Sequence, residues 1–507
     1  MSGLSDPMPP RPAPLRHERW VWYAVLTALV LRLLVFFANR NQPIVTIEES
    51  YIASTATLVS GYGYQMRTTK ALENKHGFPT MLTSIDYMRQ REAEGGRVDR
   101  EHPYPKSPIG WIPAVVHPAG YSWLLYPLYR LGNFSGMIAS ARLLQIVTDS
   151  LVCVLAFLFA RNVFGASVGR LAAWLYAFCP AMIYLCQAIL PDAYHGFFAG
   201  SILCLASFAT PRRGAWLLAA GAAAGLACHF RSEYQLMPLV IFLIVLLNWR
   251  RFVPSVVWSA GMAAVMLIVL APWALWTKKV SGHAQFGGVG AWSGMYVGIG
   301  EDPQNPWGIV MNEPWLTQDA INRGFESHIS HEANQEYKKL CWQYVRQYPW
   351  RYARCILVHR LPLALATPHL TSNRTTSDEF SFTKYHVEEG LTRWGVIRKY
   401  PGKVVRYMGP QLAMSAVSAL LTLALLATIV IFRRDWRRIA WLVIPWGYTV
   451  GTVVLIKSIE PRNIAPPLFV LTVALAIVIC YLVHRRQGRP FVFPSSGIEE
   501  PMGARRG

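Results

Sequence analysis

The sequence predicts an all-α polytopic membrane protein with about ten transmembrane helices and two large external segments. Hydrophobic residues make up 53% of the 507 residues and charged residues only 15%, whereas soluble domains are nearer a quarter charged. Apolar runs such as 20–37 and 256–276 approach or exceed the ~20 residues that cross a bilayer as a helix. No segment shows the alternation of about ten residues that marks a membrane-spanning strand.

The predicted spans follow the apolar runs in chain order. They are 20–38, 140–160, 171–190, 193–210, 214–230, 235–249, 255–276, 411–432, 437–456 and 464–484. Arg11, Arg16 and Arg19 precede the first run, as charges precede the core of a signal peptide. That run is too long for a signal peptide and lacks a small-residue cleavage site. We therefore expect the first helix to be retained.

Basic residues give the chain a net charge of +21, but they lie in short clusters beside the spans. Membrane topology explains this pattern without a nucleic-acid partner. Arginine pairs such as Arg212–Arg213 and Arg433–Arg434 fall on one side, together with both chain ends, and the positive-inside rule makes that side cytoplasmic. The predicted organisation is a cytoplasmic segment 1–19, a membrane core 20–276 that includes the external loop 39–139, an external region 277–410, C-terminal spans 411–484 and a disordered cytoplasmic tail 485–507.

Cysteine positions indicate packing rather than a disulfide framework. Six of the eight cysteines lie in apolar runs and are typical small core residues. Cys341 and Cys355 lie in the second external region, where one continuous helix would separate them by about 21 Å, too far for a disulfide. Pairing would need a bend, for which Pro349 is the candidate.

Glu48 and Glu49 form an acidic pair a few residues after the first predicted helix. One interpretation is a general base, because partial desolvation at a membrane boundary makes a carboxylate more basic. The other is that the pair favours the positive N-terminal end of the next helix. Composition alone favours the second interpretation.

Two further acidic positions are candidates for function. Asp192 and His195 are i and i+3 at the start of a predicted helix and share one face. With Glu48 they could bind a divalent metal or orient an acceptor, whereas such a pair alone is usually a polar helix end. No cofactor is certain, and a divalent metal stays open. Asp149 lies deep in a span, which indicates either a buried partner or a functional role.

Several motifs, taken in order, resemble the GT-C glycosyltransferases, and more narrowly the protein mannosyltransferase and aminoarabinose transferase-like branch (glycosyltransferase family 39 and its bacterial relatives). The motifs are Glu48-Glu49 with Gly61-Tyr62-Gly63-Tyr64, His117-Pro118-Ala119-Gly120-Tyr121, Gln187 through Asp192 with His195, Gly221–Arg231, Ala271-Pro272-Trp273 with Lys278, Tyr337–Tyr348, and Pro461-Arg462-Asn463. Their likeness extends over residues 20 to 484. The family usually has aspartate where this chain has Glu48.

The resemblance implies inverting transfer of a sugar from a polyprenyl-phosphate donor to a hydroxyl or amine acceptor on the external face of a bacterial inner membrane. Glu48 or Glu49 would be the catalytic base. The basic residues at external ends would hold the donor phosphate, although snorkelling to the interface explains each singly; they are Arg231, Lys278, Lys279 and Arg462. Acceptor and sugar binding would fall to His117, Tyr121, Asp192 and His195. The acceptor is a lipid, glycan or protein, and membrane lipids are the other partners.

Two alternative functions stay open on the sequence. A transporter or flippase for a lipid or lipid-linked sugar would use ionisable residues at mid-membrane depth. Asp149 is the only acidic residue deep in a predicted span and the predicted external mass is large, so the sequence favours an enzyme over a transporter. An inactive GT-C-like membrane subunit is the other, and the replacement of aspartate by Glu48 favours it slightly.

Overall fold

A computed structural model describes residues 18–39, 46–67, 83–105, 111–115, 118–288, 290–302, 304–325, 327–366, 393–456 and 468–493. The membrane region contains α1 (Arg19–Ala38), α5 (Phe134–Phe164), α6 (Ala166–Ala177), α7 (Pro180–Leu185), α8 (His195–Ser207), α9 (Ala215–Phe230), α10 (Met237–Trp249), α11 (Phe252–Ser281), α18 (Pro401–Ile431), α19 (Trp436–Ile456) and α20 (Leu468–Arg486).

The remaining helices belong to the two segments predicted to be external. They are α2 (Thr46–Val59), α3 (Ser84–Ala93), α4 (Gly120–Leu131), α12 (Ala291–Gly298), α13 (Glu313–Asn322), α14 (His331–Gln347), α15 (Pro349–Arg354), α16 (Leu361–Ala366) and α17 (Arg393–Lys399). Two short antiparallel strands, β1 (Gln65–Arg67) and β2 (Trp111–Pro113), pair with Met66 opposite Ile112. The predicted all-α polytopic class is confirmed, with this small sheet as an addition.

Within the described residues, seven helices are long and apolar enough to cross a membrane. They are α1, α5, α10 with the turn before it, α11, the apolar part of α18, α19 with its preceding turn, and α20. The other three predicted spans correspond to shorter helices. Span 171–190 is interrupted between α6 and α7, where Pro180 begins the new helix, because proline cannot continue a helix through its interior. The exact count of ten stays a prediction.

A buried ion pair joins the first helix to the core of the membrane region. Arg32 on α1 donates from Nε to Asp149 Oδ2 on α5 over 2.5 Å, and both side chains are fully buried. Tyr176 on α6 donates its hydroxyl to the other carboxylate oxygen over 2.7 Å. Gly196 on α8 lies directly against the Tyr176 hydroxyl, where any Cβ atom would collide with that oxygen. Four helices therefore meet at Asp149, which has a structural partner.

The second external region has its own apolar core. Tyr296 on α12 stacks on Tyr337 of α14 with ring centroids 4.7 Å apart, and Leu316 and Ala320 of α13 complete the cluster. Two contacts fasten this region to the end of α19: Tyr352 donates to the Leu455 carbonyl and Arg360 to the Val454 carbonyl. Cys341 and Cys355 are buried free thiols and do not pair.

Residues 485–493, the described part of the predicted disordered tail, continue in ordered contact with the membrane helices. Helix α20 extends to Arg486, two residues past the predicted end of the span. Phe493 is buried and lies against Phe164 and Phe432 with ring centroids 5.5 and 4.7 Å away. Burial of this aromatic side chain stabilises the segment. The prediction of disorder rested on the polar composition of the whole tail and did not weigh this one residue.

We expect Asp149→Asn to lower the thermal stability of the purified protein in detergent. The substitution leaves Arg32 as an uncompensated buried charge, and breaking a buried pair in this way costs about 3–5 kcal/mol. The double variant Arg32→Met with Asp149→Leu removes both charges and should recover most of the loss. An unchanged unfolding temperature in Asp149→Asn would contradict the proposed importance of the pair.

His328 makes the external region sensitive to acid. Burial lowers the pKa of its imidazole to about 4, below the ~6.5 of an unfolded histidine. The unfolded chain binds more protons in this window, so stability falls as the pH drops from ~6.5 towards ~4, by about 2–3 kcal/mol. Hydrogen exchange of α13 and α14 at pH 7 and at pH 4.5 measures this. His328→Asn should lose most of the pH dependence, and an equal dependence in that variant would refute the assignment.

Candidate functional site

The acidic pair lies on α2, whose first residues follow the end of α1. Glu49 Oε1 accepts hydrogen bonds from both the backbone N–H and the hydroxyl of Ser84, at 2.7 and 2.6 Å. Ser84 is the first residue of α3, where unpaired N–H groups and the helix dipole favour a negative charge. Glu49 thus joins α2 to the start of α3. Glu48 lies in the same helix, and the structure describes its backbone only.

Helix α2 packs on the start of α4, which carries the proline-tyrosine motif. The rings of Tyr51 and Tyr121 meet edge to face with centroids 5.4 Å apart, and Ser122 donates its hydroxyl to the Tyr51 carbonyl. Tyr121 is fully buried and donates its hydroxyl to Gln145 on α5 over 2.8 Å. The acidic motif and the tyrosine motif, predicted separately, are therefore in direct contact.

Aromatic contacts extend from Tyr121 to the second acidic motif. Its ring centroid is 6.3 Å from those of both Tyr194 and Phe230. Tyr194 lies in the 3₁₀ turn Pro191–Tyr194, and Phe230 is the last residue of α9. Gly120 makes the approach of α4 to α9 close, because a Cβ atom there would meet the His229 carbonyl at 2.5 Å.

Beyond these rings lies a cluster of four charged or titratable side chains. Asp192 and His195 are buried, and Arg231 Nη1 donates to Asp192 Oδ1 over 3.0 Å. Arg231 Nε also donates to Glu233 Oε1 over 3.3 Å. His195 Nε2 lies 3.0 Å from the same Glu233 oxygen and 3.7 Å from Asp192. Arg231 thus bridges two carboxylates, and the imidazole lies between them.

Two tyrosines hold this cluster in place. Tyr234 lies 2.8 Å from His195 Nδ1 through its hydroxyl, so both imidazole nitrogens face a polar partner. Tyr448 of α19 donates its hydroxyl to the Glu233 carbonyl. The 3₁₀ turn Ser232–Leu236 therefore connects α9 to α19. Glu233 is held at its carbonyl by Tyr448 and at its carboxylate by Arg231.

The predicted basic element ends α11. Gly282 takes a left-handed conformation with φ of 75° and donates to the Lys278 carbonyl over 3.0 Å, which terminates the helix in the way glycine commonly does. Lys278 and Lys279 are exposed in the last turn, where the helix dipole favours cations. One turn earlier, Trp273 contacts the ring of Tyr64 from the Gly-Tyr-Gly-Tyr motif at 6.0 Å.

The structure thus brings Tyr121, Asp192, His195 and Arg231 into one region, with the α2 helix of the acidic pair packed on it. Lys278 and Lys279 lie in the last turn of α11, after Trp273, whose ring contacts that of Tyr64. His117 and Arg462 lie outside the described residues. Among the residues that the structure describes, no three His, Cys, Asp or Glu side chains form a metal-binding group. Arg231 lies between Asp192 and Glu233 and contacts both carboxylates.

Sequence reasoning missed Glu233, which completes the cluster. The polar turn Arg231-Ser232-Glu233 between two apolar helices could have indicated it. Only the arginine of this turn was predicted to be a site residue. Tyr234 and Tyr448 were missed for another reason. Tyrosine beside a span is typical of the membrane interface. Nothing in the neighbouring sequence distinguishes such a tyrosine from one that contacts the charged cluster.

One family model matches part of the chain. The model of the family described as dolichyl-phosphate-mannose-protein mannosyltransferase matches residues 116–276, which include the tyrosine motif, the charged cluster and the Pro-Trp element. The predicted resemblance to GT-C membrane glycosyltransferases is confirmed over this part of the chain. A comparison with curated proteins found no match.

The comparison with solved structures returned matches that include an archaeal oligosaccharyltransferase and a bacterial protein, ArnT. The Archaeoglobus fulgidus oligosaccharyltransferase, tethered with an acceptor peptide, has a TM-score of 0.46 at 12% identity over 94% of this chain and 51% of its own. ArnT from Cupriavidus metallidurans, bound to undecaprenyl phosphate, has a TM-score of 0.35 at 14% identity over 92% of this chain and 79% of its own. The chain spans about half the length of the oligosaccharyltransferase.

We expect Arg231→Gln to destabilise the protein. Asp192 is fully buried, and removing its cationic partner leaves a buried carboxylate, at a cost of about 3–5 kcal/mol. Thermal unfolding in detergent measures the loss, with Arg250→Gln, an exposed arginine at the end of α10, as the matched control. Adding Asp192→Asn to Arg231→Gln should restore part of the stability. Equal unfolding temperatures for Arg231→Gln and Arg250→Gln would contradict the pairing.

Proposed function

We propose that this chain is a membrane glycosyltransferase, which transfers a sugar from a polyprenyl-phosphate donor to a hydroxyl or amine acceptor with inversion. One observation carries the proposal: the acidic helix α2 packs, through Tyr51 and Tyr121, on the region where Arg231 bridges Asp192 and Glu233. A base and a charged cluster close together are what a displacement at a sugar carbon next to a phosphate needs. The family match over residues 116–276 supports the same class.

Glu48 is the proposed base. Its carboxylate would take the proton of the acceptor hydroxyl while that oxygen attacks the anomeric carbon and the lipid phosphate leaves with the bonding electron pair. The alternative base, Glu49, already accepts two hydrogen bonds from Ser84. Those donors stabilise its negative charge and occupy one of its oxygens. Glu49 therefore suits the placement of α3 beside the site, which leaves Glu48 for proton transfer.

The leaving phosphate requires fixed positive charge. Lys278 and Lys279 are exposed at the end of α11, at the depth where a lipid phosphate meets the membrane boundary. Arg231 shares its charge with two carboxylates, so we assign it to organising the cluster and to donor binding only through that cluster. Arg462 completes the proposed set of donor-binding cations on the sequence resemblance.

Acceptor and sugar binding are assigned to His117, Tyr121, Asp192 and His195. Tyr121 and Asp192 are closed off from solvent, so access to them requires the aromatic contacts among Tyr121, Tyr194 and Phe230 to open. An acceptor would then meet a surface of rings and one charged cluster. The acceptor itself, whether lipid, glycan or protein, is left unspecified by these side chains.

The proposed location is a bacterial inner membrane with both chain ends in the cytoplasm. The basis is the distribution of exposed arginines, among which Arg213, Arg250, Arg434 and Arg486 fall on one side by the positive-inside rule. The site would then face the periplasm. That orientation fits a polyprenyl-phosphate donor, because such a lipid presents its sugar at the membrane surface.

The rival transport function gains no support from Asp149, the one acidic residue deep in the predicted spans. Its side chain is fully buried, paired with Arg32 and bonded to Tyr176. We therefore retain one proposed function.

Glu48→Gln should abolish sugar transfer while expression and thermal stability stay unchanged, because an amide cannot accept the proton. Glu49→Gln should lower the unfolding temperature and reduce transfer only in part, since its loss loosens the contact with Ser84. The assay is transfer of labelled sugar from polyprenyl phosphate to acceptors in a detergent-solubilised membrane extract. Full transfer activity of Glu48→Gln would show that Glu48 is not the base. Transfer that needs an intact sealed vesicle would instead support transport.

A further inference from the structure

Helix α14 has two faces of opposite character. Ala333, Tyr337, Cys341 and Tyr344 are buried against the apolar core of the second external region. The other face is exposed along its whole length, from Gln335 to Gln347. Its residues recur at i, i+3/i+4, i+7/i+8 and i+11/i+12, which places them on one stripe of the helix.

This stripe forms an open surface rather than an enclosed cavity, because all of its side chains belong to one face of a single helix. Three of these side chains are cations: Lys338, Lys339 and Arg346. Glu336 on the same helix contacts Lys339 at 3.2 Å, an exposed pair of small energetic weight. The stripe therefore keeps a net positive charge that a negatively charged ligand would complement.

The remaining lining groups suit a saccharide. Trp342 is 48% exposed, and its ring offers a flat apolar face on which a sugar ring can lie, while the indole N–H stays available as a donor. Gln335, Gln343 and Gln347 supply amide groups that both donate and accept hydrogen bonds, as sugar hydroxyls require. The Lys338 ammonium lies 5.6 Å from the ring centroid of Trp292, and that ring is 6.3 Å from the ring of Trp342.

A membrane surface is a poorer match to this face. A helix that lies in the membrane interface inserts its apolar face among the lipid chains. In α14 that face is already buried on Tyr296 and Leu316 of its own region. The exposed stripe has one large apolar side chain, Trp342, among six polar ones, so it has little to insert.

We propose that the exposed stripe of α14 binds an anionic glycan, a saccharide chain that carries carboxylate or phosphate groups. Twelve residues separate Gln335 from Gln347, so the stripe is about 18 Å long, which accommodates several consecutive sugar rings. The inference deepens the proposed function, on which it rests: the bound chain would be the acceptor, held by α14 while its end reaches the site near α2. It names the class of acceptor that the side chains of the site itself leave open.

The test is direct binding of an acidic oligosaccharide to the full-length protein in detergent. Fluorescently labelled oligogalacturonate is the probe, and a labelled maltooligosaccharide of equal length is the neutral comparison. The triple variant Lys338→Gln, Lys339→Gln and Arg346→Gln should bind oligogalacturonate on the order of tenfold or more weakly, since each removes a charge-assisted contact. Trp342→Ala should weaken binding several-fold, because it removes the stacking surface.

A matched control keeps the change of net charge the same. Arg433→Gln, Arg434→Gln and Arg485→Gln remove three exposed cations at the predicted cytoplasmic side, and this variant should bind the probe as the parent does. The binding assay contains no donor and measures no transfer. A failed catalytic assignment and a failed glycan site therefore give different results.

Three outcomes would overturn the proposal. Equal binding of the acidic and neutral oligosaccharides would remove the role of charge. If oligogalacturonate binding weakens equally in the α14 triple variant and in the control variant, the effect comes from the net charge of the protein and not from the stripe. If phosphatidylglycerol vesicles lose affinity for the α14 triple variant while oligogalacturonate does not, the stripe is a lipid headgroup surface.

Discussion

A carboxylate buried among membrane helices needs a cation, and the pair formed by Asp149 and Arg32 determines how the first half of the protein packs. Its cost of desolvation is large, so it persists only when further hydrogen bonds satisfy both groups. Tyr176 supplies one, and the Ala28 and Ala177 carbonyls accept from the guanidinium. Helix α1 is therefore fixed against α5 and α6 through Arg32. The polar helix α2 follows it in the chain.

The candidate site repeats the same principle at the membrane boundary. Arg231 bridges Asp192 and Glu233, and His195 lies between the carboxylates. Asp192 is fully buried beside the guanidinium, whereas Glu233 is partly exposed. Aromatic rings then separate this cluster from α2, so that its charges act at short range in surroundings with little water. A site of this kind suits a reaction in which negative charge develops on a leaving phosphate.

The two external regions have different relations to the membrane helices. The first is attached through Tyr51, Tyr121 and the contact between Glu49 and Ser84, and so it takes part in the site. The second has an apolar core of its own and is fastened to α19 by Tyr352 and Arg360. An independent core lets it expose a polar helix face without losing stability, because the apolar side of α14 is already buried.

The length and composition of the apolar runs predicted the membrane class, and hydrophobic patterning placed most helices, because a bilayer demands long apolar segments whatever their partners. The motifs likewise indicated Glu48, Asp192, Arg231 and Lys278 as candidates. The sequence alone could not predict that Arg32 is the partner of Asp149, since the two lie 117 positions apart and helical spacing reports only on neighbours within one helix. Glu233 was missed for the same reason: its role depends on contacts from Arg231, His195 and Tyr448 on different elements. Composition decides what can cross a membrane, whereas the pairing of buried charges is decided only when the helices pack.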